Sequence, residues 1–166
     1  MKKGLSIILI VLVAIVVVYS LKQDQTPKSK PAIGAILPLT GPAGSIGEYV
    51  KNAIDLAAAQ NIQVVYADDE CDTKKAVSAY QELKIKDVKV FYVACSGSVL
   101  ALAPLAKENG DLIITAYAGS SEIRNTGDEV IRFIPDALSV VAVMKEYFSE
   151  NPTEKYAIIH ENQNYS

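Results

Sequence analysis

Two cysteines carry the most pointed chemistry in this chain. Cys71 and Cys95 each stand just past an apolar run, and the second opens the segment Cys95-Ser96-Gly97-Ser98. Outside a cell an even pair of this kind suggests a disulfide; two separate buried thiols are the alternative. A metal site would need more ligands, and the single histidine, His160, lies far along the chain. The serines beside Cys95 offer hydroxyls and, at a helix start, free backbone N–H groups. That combination suits a carboxylate, which the helix dipole also favours. For any one serine the competing reading is an ordinary helix cap. Tyr117-Ala118-Gly119-Ser120-Ser121 repeats the theme: small residues at a strand end let the backbone approach a ligand closely.

Other candidates carry less. Thr40-Gly41-Pro42, with Gly44 and Gly47, forms a glycine-rich loop but lacks the spacing and the lysine of a phosphate loop. Asp68, Asp69, Glu70 and Asp72 cluster at another strand end. A phospho-acceptor or a cation site is the alternative; no matched lysine signature follows and the expected location is outside the cell, so a solvated or structural acidic loop is the reading adopted. His160 has no nucleophile in a recognisable elbow beside it. The expectation is a binding protein rather than an enzyme, with no cofactor and no metal. The net charge is −3 and no basic stripe with interleaved aromatics occurs, so nucleic acid is not an expected partner.

The elements that must hold these loops alternate regularly. Apolar runs at Ile33–Leu37, Ile62–Ala67, Val88–Val93, Leu112–Ala116, Val130–Ile134 and Tyr156–Ile159 predict six strands. Between them, apolar residues recur at helical spacing. Ile46, Val50, Ala53, Ile54 and Ala57 follow a capping box, Ser45-Ile46-Gly47-Glu48. Ala76, Val77, Tyr80 and Leu83 follow Asp72 or Thr73; Val99, Leu100, Ala103 and Ala106 follow Ser96 or Ser98. Val140, Val141, Met144, Tyr147 and Phe148 follow Pro135-Asp136, and Asn151-Pro152 ends that helix. The fold class is therefore α/β, a parallel sheet with helices on both faces. Ligands of such sheets sit at the carboxyl ends of the strands, where the loops above lie.

Residues 1–21 join two lysines to an apolar run, the pattern of an export signal with the rest of the chain outside. An uncleaved anchor holding the chain to the membrane is favoured over a cleaved signal peptide. Residues 22–31 are polar and proline-bounded, a linker.

Four segments resemble the type I periplasmic binding proteins, specifically the branched-chain amino-acid (Leu/Ile/Val) binding family. They are Ile33–Gly47, Tyr66–Val77, Cys95–Ser98 with Ile113–Ile123, and Ala157–Tyr165. The resemblance implies two α/β lobes closing on a ligand, 32–134 forming the first and 135–166 the start of the second. It implies a Cys71–Cys95 disulfide. It implies that Ser96 binds the ligand's α-carboxylate, with Gly97 beside it in the ligand site, and that the Tyr117 backbone meets the ammonium. Ile46 would pack on the ligand, and Tyr165 would line the cleft from the second lobe. Where the family carries threonine or serine after Tyr117, this chain has Gly119 and then Ser120. Family members run about twice as far, so a C-terminally shortened member is expected. The implied function is capture of amino acids or related small ligands for the permease subunits of an ABC importer. A membrane-anchored sensor of the same fold and an inactive fragment are the alternatives.

Overall fold

The computed structural model describes residues 32–58, 62–152, 155–157 and 159. The predicted anchor (1–21), the linker (22–31) and Tyr165 lie outside the described residues. Five strands form one sheet: β1 (Ala32–Leu37), β2 (Gln63–Asp68), β3 (Val90–Val93), β4 (Leu112–Thr115) and β5 (Val130–Arg132). Four helices connect or follow them: α1 (Gly44–Ala58), α2 (Thr73–Ile85), α3 (Ser96–Asn109) and α4 (Ala137–Glu150). A 3₁₀ turn over Ser121–Asn125 precedes β5. The strand order is β2-β1-β3-β4-β5 and every pairing is parallel.

The helices follow from local chemistry. The Asp72 carboxylate accepts from the Lys74 and Lys75 amides and caps α2. Asp136 caps α4 by accepting from the Ser139 amide. Gly110, at φ 65°, ends α3 in the left-handed conformation that glycine tolerates. The first helix departs from the sequence expectation. Its first residue is Gly44, so Ser45 lies inside the first turn rather than at the cap. The turn beginning at Gly41 leads into it, with the amides of Ile46 and Gly47 bonded to the Ala43 carbonyl. At Tyr156, Ala157 and Ile159, where a sixth strand was expected, no strand forms. No other strand among the described residues pairs there, and an apolar run becomes a strand only by pairing.

The two faces of the sheet are packed unequally. Helices α2 and α3 cover one face over a cluster that includes Ile36, Leu83, Phe91, Val93, Leu102 and Ile113, all fully buried. Each such side chain contributes about 1.5–3 kcal/mol on burial. Tyr80 packs its ring 4.7 Å from Phe91. Gly34 admits this contact, because a Cβ there would stand 2.8 Å from Leu83 Cδ1. Helix α1 lies on the opposite face over Ala35, Leu37 and Ala94, with Val50 and Ile54 half-buried against them. Helix α4 buries no residue. Among the described residues no helix is long and apolar enough to cross a membrane.

Candidate ligand-binding rim

Because all five strands run the same way, the loops after β1, β3 and β4 emerge along one edge of the sheet. Strand β1 sits between β2 and β3, so the chain's winding direction reverses beside it. That reversal opens a crevice at the carboxyl ends of β1 and β3, the place where open α/β sheets take their ligands.

The disulfide predicted from the cysteine pair is present: Cys71 and Cys95 are bonded, with Cα atoms 5.4 Å apart. The strands preceding the two cysteines are not neighbours, since β1 runs between them. The sulfurs meet because the turn after β2 folds toward the end of β1. Asp69 donates its amide to the Leu37 carbonyl at 3.0 Å, and Glu70 and Cys71 both take positive φ, 47° and 58°.

The acidic cluster builds this turn. Asp68 accepts from the Leu39 amide at 2.8 Å, the Thr40 amide at 3.3 Å and the Thr40 hydroxyl. Partial burial pushes its carboxyl up, but these donors and the Glu70 amide outweigh that and hold it below the usual range. Asp69 is wholly buried. It accepts from the Ser98 hydroxyl at 2.6 Å and the Cys71 amide at 3.1 Å. Burial dominates there and raises its carboxyl. Sequence reasoning treated the four acids as one loop. Asp69 differs from the others in standing directly after the end of β2, a half-buried edge strand. Asp69 and the two sulfurs lie within 4.8 Å of one another, yet the sulfurs are bonded to each other and are not free to ligate a metal.

Ser98 is thus committed to Asp69, and Ser96 remains for the rim. Ser96 is buried, and its Oγ accepts the Ser120 amide at 3.2 Å. That bond ties the loop after β3 to the loop after β4, with the Ser96 hydroxyl as acceptor. The residue before α3, Cys95, makes no side-chain cap bond. The Cys95 side chain therefore satisfies none of the first-turn amides of α3. Thr115, at the end of β4, shapes the second loop by accepting from the Ala118 amide at 3.1 Å. Tyr117 is half-exposed. At Gly119 a Cβ would meet nothing within 4 Å, so open space lies where a larger side chain would project. Ser120 is buried, and its hydroxyl accepts from the Glu122 amide at 3.3 Å. Ile46 lies half-buried in the first turn of α1. Gly47, one residue on, lets α1 lie directly against Pro38: a Cβ there would overlap the Pro38 carbonyl oxygen. The structure therefore brings Ser96, Gly97, Tyr117, Gly119 and Ser120 to one edge, with Ile46 on the loop-helix junction after β1. Tyr165 is outside the described residues.

A further polar group was not singled out from sequence. Asp136 is wholly buried and accepts from Arg124, Arg132 and Ser139. The Arg124 guanidinium chiefly holds its carboxyl far below the usual range, against the opposing effect of burial. The sequence signal was partial: Pro135-Asp136 marks a helix start, but nothing local pairs it with Arg124.

Comparison with known proteins agrees with this architecture. A family profile described as periplasmic binding protein matches residues 30–166. A Leu/Ile/Val-binding protein homolog 3 of Brucella melitensis is 27% identical over 80% of this chain and 40% of its own length. A leucine-, isoleucine-, valine-, threonine- and alanine-binding protein of Pseudomonas aeruginosa is 30% identical over 77% of this chain and 38% of its own. Among solved structures, an ABC-transporter solute-binding protein of Rhodopseudomonas palustris in complex with 3,4-dihydroxybenzoic acid superposes with a TM-score of 0.67. It is 26% identical and covers 72% of this chain and 36% of its own. A leucine-binding protein of Thermotoga maritima shares the fold at a TM-score of 0.66 with 22% identity, over 73% of this chain and 37% of its own. The chain thus spans about two fifths of the length of the curated relatives it matches. These relatives bind solutes and are not enzymes. With a match running from residue 30 through the rim to residue 166, this chain belongs to the periplasmic binding protein family.

Proposed function

We propose that residues 32–134 supply the first lobe of an extracytoplasmic solute-binding protein that captures a small carboxylate-bearing ligand for an ABC importer. The observation that carries this reading is the rim itself. The start of α3 has no side-chain cap from Cys95, and the Ser96 hydroxyl stands at the carboxyl ends of the strands, beside the reversal next to β1. A helix start and a hydroxyl both stabilise a carboxylate, and the α3 dipole adds to them. The ligands in the relatives' names, branched-chain amino acids and a dihydroxybenzoate, share that group. Amino acids of the branched-chain type are the favoured ligands. Tyr117 offers backbone polar groups to an ammonium, Gly119 leaves space beside it, and Ile46 and Tyr165 are assigned to the ligand's apolar part.

The export-like start of the chain supports placement outside the cytoplasm, with residues 1–21 as anchor or cleaved signal, and the permease subunits as partners. Residues 135–166 are read as the beginning of the second lobe. Calorimetry of the full chain tests the ligand class. L-Leucine and benzoate are the probes, each with wild type and Ser96→Ala. Heat that disappears in Ser96→Ala supports the reading. Equal binding by both proteins removes Ser96 from the site, and no heat from either probe rejects this ligand class for the chain.

A further inference from the structure

The loop after β4 and the first turn of α4 are joined by one side chain. Arg132 Nη1 donates to the Ser120 carbonyl at 2.7 Å, while its Nη2 donates to Asp136 Oδ2 at 3.1 Å. Asp136 in turn accepts from the Ser139 amide and hydroxyl, each at 2.9 Å. A backbone bond runs alongside: the Ala137 amide donates to the Gly119 carbonyl at 2.9 Å. On its other side, the Ser120 amide donates to Ser96 Oγ. A continuous chain of bonds therefore runs from Ser96 through Ser120 and Arg132 to the cap of α4. Arg124 contacts the same carboxylate and the Ser139 hydroxyl, but no bond links it to Ser120. Arg124 is half-exposed, whereas the Arg132 side chain is 15% exposed. Of the two, Arg132 is the enclosed link and Arg124 the outer brace.

We propose that Arg132 is a positioning residue that makes the Tyr117–Ser121 loop and the start of α4 move as one unit. Its planar fork serves two acceptors lying in different directions, which a lysine ammonium on a single flexible stem does poorly. Helix α4 has no buried residue to fix its direction. The polar lock at its first turn sets its orientation, and that lock includes the Ser120 carbonyl. A ligand that shifts the loop therefore biases the direction in which the chain leaves the sheet. The assignment of that loop to ligand rests on the function proposed above. The mechanical link does not, and it can be measured without ligand.

Amide hydrogen exchange of the full chain, resolved residue by residue, is the test. The reporters are the amides of Ser120, Ala137 and Ser139. Arg132→Ala is expected to speed exchange at all three by about tenfold, the effect of losing one buried charged donor, while β1 and β3 amides stay unchanged. Arg124→Ala is expected to speed Ser139 and leave Ser120 as it was. Arg132→Lys keeps a cation beside Asp136, so Ser139 stays protected while Ser120 speeds up. An Arg132→Ala protein in which Ser139 speeds and Ser120 does not would overturn the link, leaving Arg132 a simple helix brace. So would no change at either site. If Arg132→Ala loosens β1 and β3 as well, Arg132→Lys decides: exchange raised at Ser120 alone upholds the link, and uniformly raised exchange overturns it. Absence of leucine or benzoate binding by wild type would remove the proposed function without altering any of these outcomes.

Discussion

Helices α3 and α4 each have 14 residues and comparable apolar content, yet they end in opposite environments. Helix α3 buries Ser96, Ser98, Val99, Leu102, Ala103 and Ala106. Helix α4 buries nothing, and Leu138, Val140, Val141, Val143, Met144 and Tyr147 are exposed. The difference does not come from helix-forming tendency. It comes from what each helix can lie on: α3 is returned to the sheet by β4, while α4 leaves the sheet after β5. One is held by a hydrophobic cluster, the other by a polar lock around Asp136. Hydrophobic burial is spread over many contacts and changes little with pH, whereas the lock depends on charge.

Breaking the buried side should cost most. Phe91→Ala removes a fully buried ring at the centre of the α2/α3 face and is expected to lower unfolding free energy by about 3–5 kcal/mol in urea titration. Opening the Cys71–Cys95 bond frees a loop with a sequence separation of 24. In the chain-entropy picture, the paired Cys71→Ser and Cys95→Ser substitutions should cost about 3–4 kcal/mol by the same measurement. Gly47→Ala forces a methyl group onto the Pro38 carbonyl. A loss of about 1–3 kcal/mol is expected, read as a lowered midpoint in thermal melting.

Acid sharpens the contrast between the two regions. Asp136 has a folded-state pKa depressed below its unfolded value, chiefly by Arg124. Its contribution is fully present above the unfolded carboxylate value of about 4 and is lost as pH falls through the folded value. Asp69, raised by burial, has the opposite sign: its protonation as pH falls favours the folded state. Helix α4 should therefore detach in acid before the α2/α3 face opens, seen as Ser139 exchange rising ahead of Phe91 exchange. In Asp136→Asn that early step should be absent from the acid limb. The smallest effect belongs to the exposed helix face. Val143→Ser should change unfolding free energy by no more than about 0.5 kcal/mol, because Val143 is 67% exposed. A large loss there would mean that α4 is packed after all.

Much of the fold was legible because its signals are local. The strands begin and end within a few residues of the apolar runs, and Asp72, Gly110 and Asp136 cap helices as their types require. That Ser96 and Ser120 meet at one edge of the sheet was legible because both follow strands of one parallel sheet. Less visible was the division of labour inside the Ser-rich and acidic loops. Nothing in Asp68-Asp69-Glu70 says that the middle carboxylate turns inward to Ser98, since that contact joins residues 29 apart in the chain. The reach of Arg132 to Ser120 is likewise non-local. The exposure of the apolar α4 residues was not legible either, because periodicity reports that a helix has an apolar side, not what covers it.

By itself the sequence determined the order of strands and helices, the loops that close each strand, and the pair of sulfurs available to join. Those depend on residue type and spacing over a few turns of chain. Only the tertiary structure decided that β1 lies between β2 and β3, that the disulfide consequently spans its end, and that Ser98 bonds Asp69 while Ser96 bonds the Ser120 amide. Strand order is set by which distant segments pair to bury the most apolar surface. That is a property of the whole sheet, and no short stretch of residues encodes it.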